Sequence, residues 1–160
     1  MKTLALALMA LVASILVATP AKADEIFGGV YVHDVDTPFT LSGVEGGADI
    51  MLGWRGEPLT KLRLQQYLFV AVHTAGETHY GAFGISRKFG DKIFVRPGIG
   101  VAVHTGSSRN FENPDNGKVD FGSRVLFEPE IAVGTQINER TSIEASWVHM
   151  STAQIFGKQN

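Results

Sequence analysis

In the 160-residue chain, the stretch Ser146-Trp147-Val148-His149-Met150-Ser151-Thr152-Ala153-Gln154 sets an imidazole and a hydroxyl two residues apart. On an extended strand, residues i and i+2 leave the same face, with backbones about 6.5 to 7 Å apart at a rise of ~3.3 Å per residue. Rotamer choice can close that gap. A serine and a histidine so placed supply a nucleophile and a general base, the minimum for cleaving an ester through a covalent serine intermediate. The spacing is unspecific in itself, and a strand emerging into a polar zone would carry the same two residues harmlessly. The element that holds them therefore matters more than the pair.

That element alternates. Ile143, Ala145 and Trp147 share one face, Ser142, Glu144 and Ser146 the other, and parity puts His149 and Ser151 with the apolar set. Two longer runs repeat the design. In residues 93–104, Ile93, Val95, Pro97, Ile99, Val101 and Val103 oppose Phe94, Arg96, Gly98, Gly100, Ala102 and His104; in 123–136, Val125, Phe127, Pro129, Ile131 and Val133 oppose Leu126, Glu128, Glu130, Ala132 and Gly134. One face is a ribbon of aliphatics, the other small or charged. Runs this long match the ~9 to 11 residues with which a tilted strand crosses a bilayer and exceed the ~5 to 6 typical of soluble sheets. Arg96, Glu128, Glu130 and Glu144 among glycines and alanines suit a narrow barrel with a charged, filled interior. Two polar groups at the hydrocarbon boundary cost free energy unless they satisfy each other or a ligand, which invites a functional reading of His149 and Ser151 beside the harmless one.

Period-two runs separated by Gly, Asp, Asn and Pro clusters recur at residues 25–35, 48–55, 62–74, 79–88, 93–104, 123–136 and 141–153, and no sustained helical period follows the N-terminus. The sequence predicts an all-β, antiparallel, up-and-down transmembrane β-barrel with about seven strands in this chain. Bacterial barrels have an even number from eight upward, so eight are expected in the complete protein and residues 24–160 are expected to lack the last. The links are long at 36–47 and around 105–122 and tight at 137–140, an asymmetry expected when long loops project outward and short turns face the periplasm.

Residues 1–23 carry a basic start at Lys2, an apolar run from Leu4 to Ala18 and the small-residue ending Ala21-Lys22-Ala23, the pattern of a cleaved secretory signal peptide. Residues 24–160 suffice for one barrel domain. The absence of cysteine excludes disulfide staples and thiolate metal sites. A formal net charge of −2 with no basic block gives nucleic acid no surface. His33, His73, His79 and His104 fall at the outer ends of predicted strands; without H-x-x-x-H or H-E-x-x-H spacing they read as headgroup-zone residues, and no metal or cofactor is expected.

The run Trp147 to Ala153, followed by Gly157-Lys158-Gln159-Asn160, resembles the signature of the PagL-type lipid A 3-O-deacylases, which carry H-x-S-N-A and a later asparagine. That resemblance implies an outer-membrane barrel that hydrolyses the ester-linked acyl chain at position 3 of lipid A without a metal, through a Ser/His/acid triad on its outer surface. Ser151 then resembles the nucleophile and His149 the base. Thr152, Ala153 and Asn160 resemble the substrate- and oxyanion-binding positions, with Asn160 offset by about one residue. Thr152 stands where the family usually has asparagine, Gln154 where a glycine often follows, and the family's glutamate falls beyond Asn160. The implied partner is lipopolysaccharide in the outer leaflet of a Gram-negative outer membrane; a homodimer is compatible with the sequence. The alternative is a non-enzymatic small barrel with a structural or adhesive role, in which the loops do the work. A soluble ligand-binding barrel would turn its apolar face inward, against the charged faces of residues 93–104 and 123–136.

Overall fold

The computed structural model describes residues 13–18 (backbone only), 24–35, 44–59, 61–109 and 119–152. These contain strands β1 (Ala13–Ala18), β2 (Glu25–Val32), β3 (Ala48–Arg55), β4 (Gln65–His73), β5 (Tyr80–Ser86), β6 (Phe89–Gly90), β7 (Ile93–His104), β8 (Val125–Asn138) and β9 (Thr141–Val148). All pairings are antiparallel. They run in chain order from β1 to β5, then β5 to β7, β7 to β8, β8 to β9, and back from β9 to β1. Eight strands thus close a ring, and β6 is a short rung on the start of β7.

The seven runs expected in residues 24–160 correspond to β2, β3, β4, β5, β7, β8 and β9. By themselves they would leave one edge of β2 and one of β9 unpaired. In apolar surroundings each unpaired backbone group on such an edge costs several kcal/mol by the usual rough estimate. The eighth place is taken by β1, which lies within the segment read as a signal peptide: Ile15 stands opposite Gly28 on one side and Ile143 on the other.

The alternation read from the sequence is the alternation of the wall. In β4, Gln65, Tyr67, Phe69, Ala71 and His73 are buried while Gln66, Leu68, Val70 and Val72 are exposed. Ile26, Ile50, Leu52, Phe83, Ile99, Ile131, Val133 and Ile143 continue an exposed apolar surface around the ring. A soluble monomer rarely carries so large an apolar surface, and a lipid-facing belt accounts for it.

Inside, Arg96, Glu128, Glu130 and Glu144 are buried as expected. Arg96 pairs with Glu25 at 3.0 Å and with Glu144 at 3.2 Å, and Arg55 reaches Glu144 at 3.5 Å. Arg55 also lies 4.0 Å over the Phe27 ring, and the Tyr67 hydroxyl donates to Glu128. Mutual pairing offsets the desolvation of charges held away from water. Beyond the expected small and charged residues, aromatics fill the interior: Phe27, Tyr31, Tyr67, Phe69, Tyr80 and Phe94 are all buried. Glycine makes room for them, since a Cβ at Gly53 would come within 2.3 Å of the Phe27 ring.

With β2 taken as rising, the links at one end are 33–47, 74–79 and 105–124, and those at the other are 56–64, 87–92 and 139–140. Two of the three links at the first end are long, and β9 runs toward that end.

Candidate active site

β9 ends at Val148, but its register with β8 continues. His149 N–H donates to the Pro129 carbonyl at 3.0 Å, and Ser151 and Phe127 exchange both backbone hydrogen bonds, at 3.0 and 2.7 Å. The extension fixes parity through the motif. Ser142, Glu144 and Ser146 are buried inside, and Val148 and Met150 pack against the interior cluster. His149 and Ser151 therefore lie on the outward side, both half-buried. Thr152 is fully buried and falls on the interior side by the same parity, so its side chain is on the opposite face from the Ser151 hydroxyl. Ala153 and Asn160 lie outside the described residues.

The surroundings of the pair are apolar. The Trp147 and His149 rings stack with centroids 5.5 Å apart and an interplanar angle of 19°. Across the ladder stand Phe127 and Pro129, and beyond them Val101 and Ile99, which pair with those two residues on β7. The acids on the flanking ladder, Glu128 and Glu130 on β8 and Glu144 on β9, point inward. Burial pushes the His149 imidazole below its ordinary value, with no charge among the described residues opposing the shift. Its neutral form, able to accept a proton, is thus favoured at neutral pH. Among the described residues no hydrogen bond joins His149 to Ser151 or to a carboxylate, a looseness common at catalytic pairs before substrate closes on them.

The other histidines depart from the expected headgroup rim. His33, His73 and His104 are buried on the interior side at 7, 2 and 7 % exposure. His104 Nε2 bonds the Ser123 carbonyl at 2.7 Å, and the His79 ring accepts the His73 N–H at 3.0 Å. His33 and His73 face each other edge to face at 4.5 Å, beside Asp49 and Glu45. Linear spacing gave no sign of that cluster, because three separate elements supply it. The signal available was parity: His73 and Asp49 both fall on the inward set of their strands.

A family model described as lipid A 3-O-deacylase (PagL) matches residues 47–160. The match takes in β3 through β9 and the His149-x-Ser151 stretch. No curated protein and no solved structure matches the chain.

Proposed function

The chain belongs to the lipid A 3-O-deacylase (PagL) family, and on that premise we propose that Ser151 is the nucleophile and His149 the general base of a serine esterase acting from the outside of an outer-membrane barrel. The observation that carries this reading is the outward, half-buried His149/Ser151 pair in an otherwise apolar wall. A filled interior offers a substrate no path, so the ester must reach the site from the leaflet itself. Lipid A, whose acyl chains lie against such a wall and whose sugars sit at its outer rim, is a substrate of matching shape.

Ser151 Oγ attacks the ester carbonyl carbon as His149 takes the hydroxyl proton. The tetrahedral intermediate then collapses, and the 3-hydroxyl of the sugar leaves with the proton from His149. Water, deprotonated by His149, cleaves the acyl-serine and frees the fatty acid. Trp147, stacked on the imidazole, restricts the ring to orientations along the wall. The family resemblance assigns the oxyanion to Ala153 and Asn160, with Thr152 able to serve it only through its backbone because its side chain faces inward, and places the orienting acid after Asn160. We further assign residues 1–23 to a cleaved signal peptide, with a strand C-terminal to β9 taking the place of β1 in the exported barrel. The edges of β2 and β9 that β1 covers support this assignment, since both need a partner in lipid.

The test is fatty-acid release by the complete protein in bilayers containing lipopolysaccharide. Wild type is expected to free one acyl chain per lipid A, and Ser151→Ala none. If folded wild type releases nothing, the structural or adhesive barrel takes the place of the esterase.

A further inference from the structure

On the interior side of the wall, at the end where His149 and Ser151 lie outside, the sheet register assembles a second polar group. Asp49 on β3 stands opposite Tyr31 on β2 and His73 on β4, and His33 follows β2 by one residue. One donor atom each from His33, Asp49 and His73 lies within 4.8 Å of the other two, and the three residues are 7, 1 and 2 % exposed. Glu45, 3 % exposed, brings Oε2 to 3.3 Å from His33 Nε2. Asp49 lies 2.8 Å from His33 Nδ1 and accepts its N–H, so that Nε2, on the side of Glu45, can hold either a proton or a metal ion.

Two features of this cluster are unexplained by the protein alone. His73 Nδ1 accepts the N–H groups of Ala75 and Glu77 at 3.3 and 3.2 Å, yet its Nε2 is buried without a partner. Nε2 abuts Gly47, where a Cβ would come within 2.6 Å of it and where φ is +135°; glycine keeps the space beside the ring open. The second feature is charge. Among the described residues no lysine or arginine pairs with Glu45 or Asp49; their neutral donors are the Tyr80 hydroxyl and the Thr78 and Val119 N–H groups, and imidazoles are the only groups beside them that could carry positive charge. A protonated His33 balances one of them.

We propose that this cluster binds a divalent transition-metal cation of the zinc type, with His33 Nε2, His73 Nε2 and Glu45 as ligands and Asp49 as the positioning group behind His33. Tetrahedral ligands at about 2.0–2.1 Å from zinc stand roughly 3.3–3.4 Å from one another, and the His33–Glu45 edge already has that length. A carboxylate on the far nitrogen of a ligating histidine is the usual means of fixing its tautomer and raising its basicity. A dication with two neutral imidazoles also balances the two carboxylates. When its Nε2 is a ligand, His73 carries its proton on Nδ1 and releases the two long hydrogen bonds from Ala75 and Glu77. Because Glu45 also accepts the N–H groups of Thr78 and Val119, both at 3.2 Å, the ion cross-braces three links at one end of the barrel. The site is separate from the His149/Ser151 pair, across the wall from it.

The complete protein, folded in detergent and stripped with chelator, would be titrated with Co(II) and then Zn(II). One equivalent is expected, with the visible absorption of tetrahedral Co(II) lost on zinc addition and the Ala75 and Glu77 amide resonances shifting on zinc loading. His33→Ala and His73→Ala should weaken binding by about 100-fold or more, and Asp49→Asn by about 10- to 100-fold, with His149→Ala binding as wild type. Folding of each variant is checked by its heat-dependent gel mobility. Absence of stoichiometric binding by folded wild type overturns the proposal whatever the variants do, as does binding that survives both His33→Ala and His73→Ala.

Discussion

Two sets of histidines share one end of this barrel and differ in almost everything else. His33 and His73 lie inside among carboxylates; His149 lies outside among Trp147, Phe127 and Pro129, with no acid beside it among the described residues. Burial alone would depress both His33 and His149. At His33 the Asp49 hydrogen bond and charge, with the Glu45 charge, outweigh burial and push the imidazole up, whereas at His149 burial acts unopposed and pushes it down. The same side chain is therefore biased toward a bound cation or proton on one face and toward an open lone pair on the other. The face, set by parity along a strand, decides which chemistry a histidine is given.

The sharpest way to break this contrast is to remove the outward pair. His149→Ala and Ser151→Ala should each lower deacylation by about 10³-fold or more, and the double variant should lose little beyond either single one, because base and nucleophile act as a unit; single-turnover acyl release measures all three. On the inward face the effect is on stability. Arg96→Met leaves the buried Glu144 and the half-buried Glu25 without their nearest cation and should cost about 3–5 kcal/mol in reversible unfolding from lipid vesicles. Ile99→Arg places a charge on the outward face of β7 and should cost about 2–4 kcal/mol at a midplane position, whereas Ala102→Ser, facing inward, should cost far less. A last, smaller effect is the order of titration in metal-free protein. Ring resonances of His33 should titrate above pH 6.5 and those of His149 below it. Deacylation, which needs neutral His149, should therefore hold its rate at neutral pH and fall only as pH drops through a value below 6.5. Titration of His149 above His33 would invert the comparison.

Alternation alone gave the seven long strands of residues 24–160 and their faces, because a wall with lipid on one side and a packed interior on the other imposes period two on every stave. His149 and Ser151 were legible for the same reason: parity from Ile143 and Trp147 carries through to them. The His33, Glu45, Asp49 and His73 group was not legible, since cross-strand register and a long link create it and no local spacing encodes either. Parity with Arg96 placed Phe94 inside, but Phe27, Tyr67 and Phe69 were hidden, because an aromatic residue reads as apolar on either face until the partner glycines are known. Pairing of Ala13–Ala18 between β2 and β9 had no sequence signal beyond apolar character, which a signal peptide and a barrel stave share.

The central claim is that the outward pair cleaves an acyl ester of lipid A. Its most direct measurement is mass spectrometry of lipid A from cells expressing the complete protein, beside cells expressing a Ser151→Ala version shown to fold and reach the outer membrane. Wild type should lower the lipid A mass by one hydroxyacyl chain, and Ser151→Ala should leave it intact. An unchanged lipid A with folded wild type, or an equal mass loss with Ser151→Ala, would contradict the account.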